Sequence, residues 1–125
     1  MITLSKAQAL RLHQMVAEAS GGSVGLRDEG LLESALESIW AGFGGQAFYP
    51  TVEEKGARLG YALIANHAFV DGNKRIGVLM MLTFLALNGA PVRCTDAELA
   101  DMGLAVAAGT MSCEDLLRWV LAHRG

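Results

Sequence analysis

A chain of 125 residues carrying a net charge of −3 has room for one hydrophobic core and is short for two. The acidic balance excludes a broad phosphate-tracking surface, so no direct nucleic-acid binding is expected and any anion site must be local. With 52% apolar residues but only 6% aromatics, the core must come largely from Leu, Ala, Val and Met, a palette that favours helices over strands. Cys94 and Cys113 form no CxxC pair and join no His/Cys cluster, so both are read as incidental thiols. Residues 1–6 lack a basic region followed by an apolar stretch, and a cytoplasmic location is expected. The most apolar run, Val78 to Leu87, is broken by Thr83 and is about half the length needed to cross a bilayer. It reads as a buried helix with no membrane role.

In chain order, Ser5 with Gln8 opens a first helix by a capping box, and Ser20-Gly21-Gly22-Ser23-Val24-Gly25 breaks it. Asp28 caps a second, in which Leu31, Leu32, Ala35, Leu36, Ile39 and Trp40 recur at helical spacing opposite Glu33, Glu37 and Ser38. After the break at Gly42-Phe43-Gly44-Gly45, Thr51 with Glu54 opens a third that runs to Asn66. Its Gly56, Ala57, Gly60, Ala62 and Ala65 are small enough to let a neighbouring helix approach closely. A fourth starts at Gly72 and stops at Asn88-Gly89-Ala90-Pro91, and Thr95/Glu98 and Ser112/Asp115 open the fifth and sixth. The expected fold is all-α: a compact single-domain bundle of about six helices over residues 1–125.

The fourth helix start stands apart, because Gly72-Asn73-Lys74-Arg75 puts two cations in a first turn. Exposed amides and the macrodipole make that end positive, so each cation costs about 0.3–1 kcal/mol unless an anion is present. A phosphate would accept the free amides, the forked Arg75 guanidinium and the Lys74 ammonium together, and Gly72 would let the backbone come close. The bland alternative makes Lys74 and Arg75 solvated charges beside Asp71 or Glu54. Upstream, His67 ends the third helix and Asp71 lies four residues on in the same loop. An imidazole suits proton removal near neutral pH, and a hard carboxylate suits Mg²⁺ held against phosphate oxygens. Phe69 is read as the loop's core anchor. Taken singly, His67 also fits a helix-terminal cation and Asp71 a helix cap.

The stretch His67-Ala68-Phe69-Val70-Asp71-Gly72-Asn73-Lys74-Arg75 resembles the signature of the Fic/Doc family. Fic enzymes carry His-Pro-Phe-x-x-Gly-Asn-Gly-Arg-x-x-Arg, whereas the Doc (death-on-curing) toxins of toxin–antitoxin systems keep a shorter form with Asp before the glycine and Asn-Lys-Arg after it. A second patch, Gly25-Leu26-Arg27-Asp28 followed by Leu31 to Leu36, is also similar to Doc toxins. The resemblance implies that His67 is the general base on a hydroxyl of a target protein and that Asp71 holds Mg²⁺. It further implies that Gly72, Asn73, Lys74 and Arg75 bind the phosphates of ATP while Phe69 sets the loop.

Two departures from the Fic form bear on the reaction: Lys74 replaces the glycine after Asn73, and Val78 stands where Fic enzymes place a second arginine. In Doc toxins the lysine accompanies transfer of the terminal phosphate of ATP to elongation factor Tu, which inhibits translation. That kinase reaction is the expectation here, with AMP transfer and a catalytically silent binding module as alternatives. The nearest string to the Fic inhibitory helix, Thr110-Met111-Ser112-Cys113-Glu114-Asp115, ends on the wrong residue and already reads as a capping box. Restraint is therefore expected from a separate, Phd-like antitoxin whose flexible tail folds on binding. Trp40 to Pro50, with Phe43, Phe48 and Tyr49 among glycines, is the candidate flap or docking surface. The alternative there is an ordinary loop with core anchors.

Overall fold

The computed structural model describes residues 1–125. Six helices follow one another: α1 (Lys6–Ser20), α2 (Glu29–Ser38), α3 (Val52–Asn66), α4 (Asn73–Leu87), α5 (Asp96–Ala107) and α6 (Cys113–Ala122). The only sheet is an antiparallel hairpin of β1 (Gly42–Phe43) and β2 (Gln46–Ala47) between α2 and α3. The all-helical class expected from composition is thus the observed one. All four capping boxes form as the sequence spells them, at Ser5, Thr51, Thr95 and Ser112, and Asp28 caps α2 through the amide of Leu31.

Helices α3 and α4 make the middle of the molecule because both contribute to two apolar clusters. On one side Leu59 and Leu63 of α3 and Ile76, Met80 and Phe84 of α4 meet Ala9 of α1, Leu32 and Ala35 of α2 and Ile39 just after it. On the other, Ala57, Ile64, Met81 and Leu85 meet Met102 and Val106 of α5 and Leu116 and Val120 of α6. The α3–α4 pair runs antiparallel and close. A Cβ on Gly56 would stand 2.5 Å from Leu85, one on Gly60 3.0 Å from Met81, and one on Gly77 2.5 Å from Ile64. The small residues of α3 therefore serve the close approach they suggest, except Ala65, which is exposed. This packing fixes where α3 ends and α4 begins, and so fixes the loop between them.

Two details depart from the sequence reading. Helix α2 ends at Ser38, so Trp40 leaves its apolar stripe and lies 48% exposed. Its ring is met by the ammonium of Lys55, 5.1 Å from the centroid, and the same ammonium donates to the carbonyl of Tyr49. Lys55 is buried, at 4% exposure. In the hairpin, Gly44 and Gly45 both take positive φ, the requirement of a tight two-residue turn. Phe43 and Phe48 are 83% and 58% exposed and are not core anchors. No helix is long and apolar enough to cross a membrane.

Candidate active site

The loop between α3 and α4 is built by a clamp from the segment preceding α2. Arg27 and Asp28 donate their amides to the carbonyl of Ala68 at 2.8 and 2.9 Å, and Val70 donates to Gly25 at 3.0 Å. Leu26 and Phe69 thereby pair as an isolated antiparallel bridge. The Arg27 guanidinium closes the end of α3, donating to the carbonyls of His67 at 2.7 Å and Asn66 at 3.2 Å, which a helix end otherwise leaves unpaired. The patch Gly25 to Asp28 is therefore the partner strand of the motif loop.

His67 is the C-cap of α3 and has φ 54 and ψ 49, making it the chain's one non-glycine residue in the left-handed region. Such a conformation costs about 1–2 kcal/mol for a residue with a Cβ, and it swings the ring out of the α3 surface into solvent. Phe69, 2% exposed, anchors the loop in the core. Asn73 staples it from inside: its amide donates to the Phe69 carbonyl and its oxygen accepts the Phe69 amide, each at 3.0 Å. Both ends of that side chain are thus engaged with the loop, so Asn73 keeps one N–H and one lone pair for a ligand.

Gly72 caps α4 with φ 76, a conformation that suits glycine, and no side chain caps this helix. The Asp71 carboxylate accepts from the Gly72 amide through Oδ1 at 2.8 Å. Its other oxygen, Oδ2, lies beside Gly22, where a Cβ would come within 2.8 Å. That glycine leaves room at Oδ2. No group of three acidic, His or Cys side chains could hold a metal ion on its own. The donor set suits Mg²⁺, which is commonly held by one carboxylate together with substrate phosphates.

Lys74 and Arg75 are exposed and enter none of the chain's ion pairs, which join Lys6 to Glu29 and Glu33, Arg118 to Asp115, His123 to Glu98 and Arg124 to Glu53. Neither leans on Asp71 or Glu54. A pocket of about 610 Å³ is lined by His67, Asp71, Gly72, Asn73, Lys74 and Arg75 with Val70 and the Ser20–Gly22 turn. A second, apolar groove of about 530 Å³ adjoins it between α1, α4 and α5, where Lys74 and Arg75 form the shared rim with Val78, Leu82 and Leu99 behind them. Gly103 of α5 gives the Lys74 stem its space, since a Cβ there would stand 3.3 Å from Lys74 Cγ. An imidazole, a hard carboxylate, helix-start amides and two cations outside any ion pair around one pocket have the chemistry to bind and orient a phosphate ester.

Two residues at this site have no role assigned from the sequence, where Arg27 appears only within the patch Gly25 to Asp28 and His13 not at all. Arg27 stands forty positions from the carbonyl it closes. His13, on α1, is 2% exposed, stacks on Phe69 with ring centroids 3.8 Å apart, and lies 2.7 Å from the Asp71 carbonyl through Nε2. The available signal was a histidine midway between Ala9 and Ala17 on the buried stripe of α1.

Comparison with known proteins supports the same segment. A sequence model of the Fic/DOC family matches residues 3–85, from α1 through nearly all of α4. The toxin Doc of Mycolicibacterium smegmatis (strain ATCC 700084 / mc(2)155) is 44% identical over 71 residues, 57% of this chain and 55% of that protein. The match thus spans about half the length of that relative. Because the family match covers more than half the chain and holds both the clamp and the motif loop, the chain belongs to the Fic/DOC family.

Proposed function

We propose that this protein is a Doc-type toxin that transfers the terminal phosphate of ATP to a hydroxyl of a target protein, with elongation factor Tu the target by resemblance. The observation that carries the reading is the convergence of the His67 ring, the Asp71 carboxylate and the cation-bearing start of α4 on one pocket. A ring nitrogen of His67 takes the proton of the target hydroxyl. The oxygen so freed attacks the γ-phosphorus, the bond from that phosphorus to the β–γ bridging oxygen breaks, and ADP leaves. The α4 amides with Lys74 and Arg75 hold the phosphates in line, and Asn73 and Phe69 keep the loop in register. Asp71, through Oδ2, would hold Mg²⁺, which when bound neutralises charge on the phosphate oxygens. Positioning and charge neutralisation of this kind account for most of phosphoryl-transfer catalysis.

The preference for the terminal phosphate rests on Lys74 and Val78. Val78 lines the apolar groove beside Lys74 and Arg75, so the charged partner that the Fic form offers a phosphate tail at this position is missing. The partner side of the reading assigns that groove, whose rim is Lys74 and Arg75, to the tail of a Phd-like antitoxin in the cytoplasm. It assigns the exposed Phe43 and Phe48 of the hairpin to contact with a protein partner. Expression without the antitoxin should arrest bacterial growth. The decisive experiment incubates the pure protein with elongation factor Tu, and separately with cell extract, using α- or γ-labelled ATP. Protein-bound γ label that needs His67 supports the kinase. Label from the α position alone assigns AMP transfer, and no label from either assigns a silent binding module.

A further inference from the structure

His13 is a buried titratable group that the reaction just described does not use, yet it touches two residues of the motif loop. Its ring lies flat on Phe69, with an interplanar angle of 13°, and its Nε2 is 2.7 Å from the carbonyl oxygen of Asp71. A carbonyl only accepts, so the hydrogen must be on Nε2. The same atom would be 3.6 Å from a Cβ on Gly72. The imidazole therefore abuts the turn at which the chain passes from the carboxylate into α4. The gap it shares with Ala17, Gly22, Asp71 and Gly72 has a volume of about 10 Å³, room for one water at most.

We infer that His13 is a positioning residue: by binding the Asp71 carbonyl and stacking on Phe69 it fixes the Asp71–Gly72 turn and so aims the Asp71 carboxylate. The mechanical argument is short. Oδ1 is already tied to the Gly72 amide, so the direction of Oδ2 follows the peptide plane between Asp71 and Gly72, and His13 pins the oxygen on that plane. Helix α1 supplies the rigidity, because Ala9 and Ala17 bury the turns on either side of His13. Groups that orient a metal-holding side chain typically change metal affinity by 10- to 100-fold when lost.

The inference rests on Asp71 facing a divalent cation, and the test separates failure of that reading from failure of the His13 role. Binding of Mn²⁺ together with a β,γ-imido analogue of ATP is followed by electron paramagnetic resonance in the parent, His13→Phe and His13→Gln. Phenylalanine keeps the ring stack but removes the donor, and glutamine restores an N–H at the reach of Nε2. The expected result is about a 10-fold loss of Mn²⁺ affinity in His13→Phe, largely recovered in His13→Gln. Affinity in His13→Phe equal to the parent, or His13→Gln as weak as His13→Phe, overturns the inference. If the parent itself holds no Mn²⁺, the metal reading of Asp71 fails and ¹⁵N NMR decides the His13 role alone. That spectrum should show a proton on His13 Nε2 at neutral pH, and Gly72 and Asn73 amides that are sharp in the parent and exchange-broadened in His13→Phe. An unprotonated Nε2 in the parent overturns the inference even where the phenylalanine variant does not fold.

Discussion

Helices α3 and α4 are each fifteen residues long, lie side by side in the same two apolar clusters, and begin in opposite ways. At the start of α3, Thr51 accepts from the Glu54 amide, Glu54 accepts from the Thr51 amide, and Glu53 and Glu54 meet the positive end of the helix with negative charge. At the start of α4 a glycine stands as cap with no side-chain hydrogen bond, no acid lies in the first turn, and Lys74 and Arg75 add positive charge where the helix is already positive. The first start is satisfied by the chain itself. The second is left without such a partner inside the helix, and the nearest acid, Asp71, bonds the cap amide of Gly72. Two neighbours in one core thus differ in whether the chain's own side chains close the helix start, and the open start is the one the proposed reaction uses.

The largest expected effect lies at the open end. His67→Ala should lower phosphate transfer by about 10² to 10⁴, the usual range for a lost general base, while nucleotide binding stays near the parent level. Because His67 holds a left-handed conformation, His67→Gly should lose transfer equally yet melt no lower than His67→Ala. A clearly lower melting temperature for the glycine variant would mean that the histidine stabilises the turn. Next is Lys74→Gly, which withdraws a charge-assisted contact of about 1.5–3 kcal/mol and should weaken transfer of γ label at least about tenfold. Unchanged γ transfer would remove Lys74 from the phosphate site. Adding Val78→Arg to that variant should let α label appear on the target.

At the closed end the sign reverses. Thr51→Ala should cost about 1 kcal/mol of stability, read by denaturant melts, with transfer by the folded fraction unchanged. A loss of activity beyond the loss of folded protein would show that the two helix starts are not independent. The smallest effect concerns α5, whose capping glutamate has a second partner. Glu98 accepts from the Thr95 amide at 2.9 Å and from His123 at 3.0 Å, and His123 also bonds the Trp119 carbonyl at 2.7 Å. The Thr95 amide, then His123, hold the Glu98 carboxyl below its ordinary 4.5. The Trp119 carbonyl, then Glu98, raise the His123 imidazole above its ordinary 6.5. The carboxylate's contribution is whole above 4.5 and lost as pH falls through its lowered value. The imidazolium's is whole below 6.5 and lost as pH rises through its raised value. Melting temperatures of the parent and His123→Gln should therefore differ most between those two ordinary values and converge at alkaline pH. A gap that persists at alkaline pH would exclude the ion pair as its cause.

Sequence reasoning reached what is encoded within a few neighbouring residues. Each capping box is a four-residue pattern, and the contradiction at Gly72-Asn73-Lys74-Arg75 is a four-residue pattern too, so both were legible. The hairpin was seen only as glycines and aromatics, because two-residue strands have no period to detect. Trp40 continued the spacing of α2 but left the helix to meet Lys55, and a lysine within a helix ordinarily reads as surface. Arg27 and His13 bond to the loop across forty and fifty-eight positions, so the patch around Arg27 and the place of His13 on a buried stripe mark the residues without naming their partners. The motif marks Asn73 as a phosphate ligand, and the structure adds a contact the motif does not spell, its side chain bonding the Phe69 backbone.

The claim that the start of α4 is held open for an anion is tested most directly by melting the parent and the double variant Lys74→Ala/Arg75→Ala with and without ATP and Mg²⁺. Without ligand the variant should melt at or above the parent, since each cation removed relieves about 0.3–1 kcal/mol of conflict with the helix dipole. With ligand the parent alone should rise. A variant that is less stable than the parent without ligand, and that gains as much from ATP, would contradict the account.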